Sequence, residues 1–143
     1  MEKIRFIIKD IEDDWPPVKY ESMWGEKNGN SFKIKNAPFF LDNLAFDDIV
    51  EIKKLEDDLY NIEKVITPSN FSTIWLYINE DRDISTLLRE IKNLKCGIEG
   101  GVIDNYYSIN IPSKFVLDKL DKLLNSYVNQ NKVIIDYPCI KGE

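Results

Sequence analysis

Carboxylates are the side chains of this sequence with the clearest capacity for chemistry. They concentrate in one run and two doublets: Asp10, Glu12, Asp13 and Asp14, then Asp47-Asp48 and Asp57-Asp58. Paired carboxylates can share a proton or bind a hard cation. Adjacent strand residues face opposite sides, however, so neither doublet can chelate through both side chains in regular β structure. The 10–14 run also lacks the spaced ligands and central glycine of a calcium loop. We therefore expect solvated turns and strand ends at all three places.

Other catalytic residue types are scarce. The chain contains no histidine, which removes the commonest general base near neutral pH and the usual metal ligand. Cys96 and Cys139 are too few for a structural zinc site and are expected to be reduced and buried. Gly100-Gly101 stands outside any phosphate-binding motif and is expected to be a turn. We therefore predict no catalytic residue, no cofactor and no metal, and a protein that is not an enzyme.

The net charge of −6 is unevenly distributed along the chain. Residues 1–60 hold fourteen acids against nine bases, whereas residues 61–143 hold eleven against ten. An acidic surface repels phosphate backbones, which argues against a nucleic-acid ligand, and suits a basic protein partner. The alternative is that the charge serves only solubility.

Aromatic residues lie among the acids of the first half: Trp15, Tyr20, Trp24, Phe39 and Phe40. Such rings often dominate interface energetics, but they can equally fill the core of a small barrel. The predicted partner-binding residues combine the acids with the two tryptophans: Asp10, Glu12, Asp13, Asp14, Trp15, Glu21, Trp24, Asp47, Asp48, Asp57 and Asp58.

The elements that position these residues follow from hydrophobic periodicity. In the first half, β-rich or alternating runs predict strands at 3–9, 18–24, 31–35, 49–53 and 59–66. Asn-Gly chemistry within 25–30 and the acids at 56–58 predict hairpin turns. We therefore expect an antiparallel β-meander or partial barrel over residues 1–68.

The second half changes period. Strands are predicted at 72–78, 106–111 and 132–137, with amphipathic helices at 83–95, capped by Asp83, and from Ser113 to about 127. This order favours a ferredoxin-like strand-helix-strand-helix-strand unit over 69–143. The fold class is thus α+β, a single domain of two sub-modules that meet at the turn 67–71. The chain shows no membrane-spanning run and no signal-like start, so we expect a cytoplasmic protein.

Several short strings resemble a known bacterial family. They are Trp-Pro-Pro at 15–17, Glu-Ser-Met-Trp at 21–24, Asn-Ala-Pro-Phe-Phe at 36–40, Asp-Asp-Ile-Val at 47–50, Ser-Thr-Ile at 72–74, Leu-Lys-Cys-Gly-Ile-Glu at 94–99 and Ile-Pro at 111–112. Their order and spacing resemble domain-of-unknown-function family 4265 over roughly the whole chain. This resemblance implies no catalytic residue and no cofactor.

Small acidic bacterial proteins of this kind are similar to the immunity partners of polymorphic toxins in contact-dependent systems, and those toxins are often basic nucleases. The first hypothesis is therefore a cytoplasmic immunity protein whose acidic half binds and neutralises a basic toxin domain. The second is a small-molecule-binding or sensory domain with a groove between the two halves near Gly97–Gly101. A third is an enzyme that uses carboxylates alone.

Overall fold

The computed structural model describes residues 1–9, 11–79 and 84–142. It divides into two compact units, Met1–Ser69 and Asn70–Glu143, which we call the barrel unit and the sheet unit. The described chain is a mixed α+β protein, as predicted, with antiparallel pairing between consecutive strands of the barrel and throughout the sheet.

The barrel unit is built from strands that pair in chain order. They are β1 (Glu2–Ile7), β2 (Tyr20–Asn28), β3 (Ser31–Ile34), β4 (Ile49–Glu56) and β5 (Leu59–Thr67). A parallel pair between Phe6 of β1 and Tyr60 of β5 closes the sheet into a barrel. Inward side chains of alternating positions, among them Phe6, Met23 and Phe32, fill the interior. The predicted meander or partial barrel is thus a closed barrel.

Strand register assigns every connection of this barrel to one of two ends. Glu2 of β1 pairs with Gly25 of β2, and β5 runs parallel to β1. The turns 29–30 and 57–58 therefore share one end with the start of β1; we call it the hairpin end. The segments 8–19 and 35–48 lie at the opposite end, the loop end. A six-residue strand such as β1 spans about 20 Å at roughly 3.3 Å per residue.

The sheet unit contains one strand that the periodicity did not predict. Its elements are β6 (Ser72–Ile78), α1 (Ser85–Asn93), β7 (Gly97–Gly100), β8 (Tyr106–Ile111), α2 (Lys114–Asn129) and β9 (Val133–Cys139), and the sheet order is β7-β8-β6-β9. Four-residue β7 has glycine at both ends, so its composition resembles a turn. Pairing with β8, from Gly97 opposite Asn110 to Gly100 opposite Tyr107, makes it a strand. The expected turn at Gly100-Gly101 begins one residue later, at Gly101 with φ 95°.

Both helices contribute to the core of the sheet unit. Leu87 and Ile91 of α1 and Leu117 of α2 pack in one cluster with alternate residues of β6. The Ser113 hydroxyl accepts the Val116 N–H at 3.2 Å and caps α2, as predicted. The predicted cap of α1, Asp83, lies outside the described residues. In the part of the chain that the structure describes, no helix is long and apolar enough to cross a membrane.

Candidate functional site

A tight turn at the loop end of the barrel unit presents the exposed acids of the 10–14 run. The Glu12 N–H donates to the Trp15 carbonyl at 3.0 Å, and the Trp15 N–H donates back to the Glu12 carbonyl at 2.9 Å. Between them, Asp13 and Asp14 both have positive φ, 51° and 62°, as the central residues of a type I′ turn require. These backbone bonds hold both aspartates at the tip. We call residues 11–18 the acid turn.

Trp15 places an aromatic surface directly beside these acids. Its ring meets the buried Phe40 edge-on, with 5.8 Å between centroids and 75° between planes. The residue nevertheless stays 45% exposed, and Ile11 and Val18 are exposed on either side of it in the sequence. The contact with Phe40 restrains the ring while leaving much of its surface available to a partner.

The acids of the turn are not neutralised locally. Glu12, Asp13 and Asp14 are exposed, and no basic side chain of the described residues lies within ion-pair distance of them. Asp10, also predicted as partner-binding, lies outside the described residues. The acid turn therefore carries an uncompensated negative charge at the protein surface.

The second doublet lies at the other end of the barrel. Asp57 and Asp58 form the turn between β4 and β5 at the hairpin end. Asp57 pairs with Lys54 at 3.3 Å, and the Asp58 carbonyl accepts the Arg5 Nε–H at 3.3 Å. A partner that binds the acid turn at the loop end would therefore not contact Asp57 and Asp58 at the hairpin end.

Two predicted interface acids are buried structural acceptors. Glu21 is 6% exposed, and its carboxylate accepts three backbone N–H groups: Phe39 at 2.6 Å, Phe40 at 3.0 Å and Leu41 at 3.0 Å. Asp48 is fully buried and accepts the N–H of Ala45 at 2.9 Å and of Ser69 at 2.7 Å. The expectation that Asp48 is a solvated strand-end charge is wrong, because its carboxylate satisfies loop amides instead of water.

Asp47 and Trp24 also have neighbours that the sequence did not indicate. Asp47 adopts φ 67° and pairs with Lys35 at 2.6 Å. Trp24, 47% exposed on the outer face of β2, stands opposite Lys3 of β1. Arg5, also on β1, places its guanidinium 4.8 Å from the ring centroid of Tyr20 on β2. Trp24 and Tyr20 are thus flanked by cations, whereas Trp15 stands among acids.

The aromatic residues divide between the two alternatives left open above. Phe39 and Phe40 are buried but are not part of the cluster that fills the barrel, whereas Trp15, Tyr20 and Trp24 remain substantially exposed. Phe39 and Phe40 are buried where their backbone amides bind Glu21, a residue far from them in the sequence. No local sequence signal therefore distinguishes the two groups of rings.

The described residues provide little basis for a metal site or for a reactive cysteine. Within ranges 1–9, 11–79 and 84–142, no group of three or more acidic or cysteine side chains is placed to hold a metal ion. Both cysteines are buried, and burial raises the pKa of the Cys96 thiol to about 11. A thiol with that pKa is almost entirely protonated at neutral pH and is a poor nucleophile.

A family model described as Domain of unknown function (DUF4265) matches residues 21–134. The chain belongs to this family. The acid turn precedes the matched segment. The chain also resembles a solved structure, described as a hypothetical protein from Neisseria gonorrhoeae, with 27% identity and a TM-score of 0.81 over 99% of this chain and 96% of that one. No curated protein matches the chain significantly.

Proposed function

We propose that this DUF4265 protein is a cytoplasmic immunity protein that binds and neutralises a basic toxin domain, such as a nuclease, through its acid turn. One observation carries the proposal: exposed Glu12, Asp13 and Asp14 have no ion-pair partner among the described residues, and half-exposed Trp15 stands beside them. Toxin neutralisation of this kind requires binding and no chemistry of its own.

The charge and the ring would contribute differently to such binding. Uncompensated acids accelerate encounter with a basic surface and disfavour partners of the wrong charge. A partly exposed tryptophan supplies apolar area that a partner can desolvate, which is typical of interface hot spots. The backbone bonds between Glu12 and Trp15 fix the turn beforehand, so little conformational entropy remains to be lost on binding.

The outer face of β2 is a weaker candidate for the same partner. Trp24 and Tyr20 are equally exposed there, but Lys3 and Arg5 lie beside them on β1. Those cations would repel a basic toxin. The local sign of charge therefore favours the acid turn.

Two triple variants with the same change of charge test this placement. The first is Glu12→Gln/Asp13→Asn/Asp14→Asn in the acid turn, where asparagine tolerates the positive φ of positions 13 and 14. The matched control is Glu56→Gln/Asp57→Asn/Asp58→Asn at the hairpin end. Each variant is co-expressed with the C-terminal region of a large secreted protein encoded immediately upstream, and growth rescue, Kd and its salt dependence are measured.

We expect the acid-turn variant to raise Kd about 10- to 100-fold, mostly through slower association, and to flatten the salt dependence. The Kd of the control variant should stay within about 3-fold of the wild-type value, because exposed charges far from an interface contribute little to binding. If both triple variants changed Kd equally, or if neither changed it, the placement of the interface at the acid turn would be wrong. If the upstream domain is harmless, or kills cells despite co-expression, the immunity proposal is rejected.

We also infer that the sheet unit has the ferredoxin-like arrangement. Its order β7-β8-β6-β9, with helices after β6 and after β8, supports this inference. An experimentally determined structure of this chain with a different strand order would contradict it.

A further inference from the structure

A groove in the barrel unit lies where β1 and β5 cease to pair. The two strands share one register pair, Phe6 with Tyr60, and residues 62–66 of β5 have no partner on β1. Antiparallel pairing with β4 engages alternate backbone groups of this segment, so the remaining N–H and C=O groups point to the side of β1. There a cavity of about 400 Å³ is lined by Ile7, Lys9, residues 41–44 and residues 61–65.

Asn61 provides the first sign that this groove takes a ligand. The residue is 5% exposed and lines the cavity, and its side-chain amide forms no hydrogen bond with any residue that the structure describes but still reaches solvent through the groove. A polar group that the protein leaves unpaired is satisfied by water or by a ligand, and a ligand that replaces the water must offer equivalent hydrogen bonds. The groove is therefore the place where a ligand can reach this amide.

The charged residues around the groove define the chemistry of that partner. Lys9 and Lys64 supply two positive charges, and Asp42 and Glu63 supply two negative charges. None of these four forms an ion pair with another described residue. A simple anion would be attracted by the lysines and repelled by the acids. A zwitterion satisfies both signs at once.

Apolar side chains complete the lining. Ile7, Leu41, Leu44 and Val65 offer hydrocarbon surface within the same cavity. We propose that the groove binds a free amino acid or dipeptide with an apolar side chain. Its carboxylate meets Lys9 and Lys64, its ammonium group meets Asp42, and its polar backbone atoms hydrogen-bond Asn61 and the free edge of β5. A volume of about 400 Å³ is adequate for a ligand of this size.

The binding test uses leucine and leucyl-leucine as probes against the full chain. Calorimetry gives Kd, and the NMR signals of the Asn61 side-chain amide report contact at the groove. N-acetyl-leucine lacks the ammonium group, and leucine methyl ester lacks the carboxylate. We expect at least one zwitterionic probe to bind with Kd below about 1 mM, and each blocked probe to bind at least 10-fold more weakly.

Two variants assign the binding to the groove. Asn61→Leu removes the unpaired amide, so we expect it to raise the unfolding midpoint of the free protein while weakening binding at least 10-fold. Lys53→Gln is the matched control, because Lys53 is exposed on neighbouring β4 and does not line the cavity; it should leave Kd unchanged. Absence of any shift in the Asn61 amide signals at 20 mM of both zwitterions would overturn the proposal. Equal binding of N-acetyl-leucine would overturn the zwitterion assignment.

Discussion

Replacing Glu21 by glutamine should lower the free energy of unfolding by about 2–4 kcal/mol. The carboxylate accepts Phe39 N–H through Oε2, and Phe40 and Leu41 N–H through Oε1. Glutamine keeps one oxygen, which can still serve two of these donors. Its NH₂ group then faces the third N–H, so one charge-assisted bond, worth about 1.5–3 kcal/mol, is replaced by two opposed donors. The two remaining bonds also lose the charge that strengthened them.

Urea unfolding at 25 °C measures this loss. With an m-value of about 2 kcal/mol/M, a change of 2–4 kcal/mol lowers the midpoint by about 1–2 M. Hydrogen exchange of the Phe39, Phe40 and Leu41 amides supplies a local measurement, and all three should exchange faster in the variant. These amides separate loosening of the loop from a general loss of stability.

Glu26→Gln is the matched control, because Glu26 lies on the same strand with its side chain exposed. It should change the midpoint by less than about 0.3 M, as surface substitutions usually do. If Glu21→Gln unfolds at the same urea concentration as this control and its loop amides keep their protection, the carboxylate does not hold the loop. The assignment of Glu21 to structure instead of partner binding would then be wrong.

Three further perturbations test other parts of the fold. Gly25→Ala would place a Cβ in steric overlap with the edge of the Phe32 ring and with the Lys33 carbonyl oxygen, so thermal unfolding should show a loss of about 1–3 kcal/mol or more; wild-type stability would contradict this packing. Cys96, whose pKa burial raises from 9.0 to about 11, should resist thiol reagents at pH 8 until the protein unfolds. Because the folded pKa exceeds the unfolded one, its stabilising contribution is complete below pH 9 and is lost as pH rises toward 11; a Cys96→Ala variant that declines equally steeply would exclude this cause. Ser113→Ala removes the cap on the Val116 N–H and should cost about 0.5–2 kcal/mol in urea unfolding, whereas Ser113→Asp should cost less.

Local patterns were sufficient to predict most elements of both units. Alternation in β2 and β3 and the apolar stripes of α1 and α2 involve residues only two to four positions apart. The sequence therefore displays them directly. The same reasoning failed for β7, whose four residues carry two glycines and become a strand only through β8.

The candidate site was predicted in composition but not in arrangement. Acids and tryptophans were identified by type, yet Glu21 and Asp48 proved to be buried acceptors, and Asp57 and Asp58 lie at the opposite end of the barrel from Glu12. Asn61 gave no sequence signal, because its unpaired amide and its place in the groove depend on where β1 leaves β5.

The sequence by itself determined the α+β class, the excess of acid in the first sixty residues and the absence of histidine, because these depend on composition and short-range periodicity. Only the tertiary structure decided which acids are free to meet a partner. Phe6 and Tyr60, fifty-four positions apart, close the barrel, and the loop at 39–41 returns to Glu21 across eighteen or more residues. Contacts at such separations follow from the packing of the whole barrel, so the charge of a residue does not reveal whether water, a backbone amide or a partner protein will meet it.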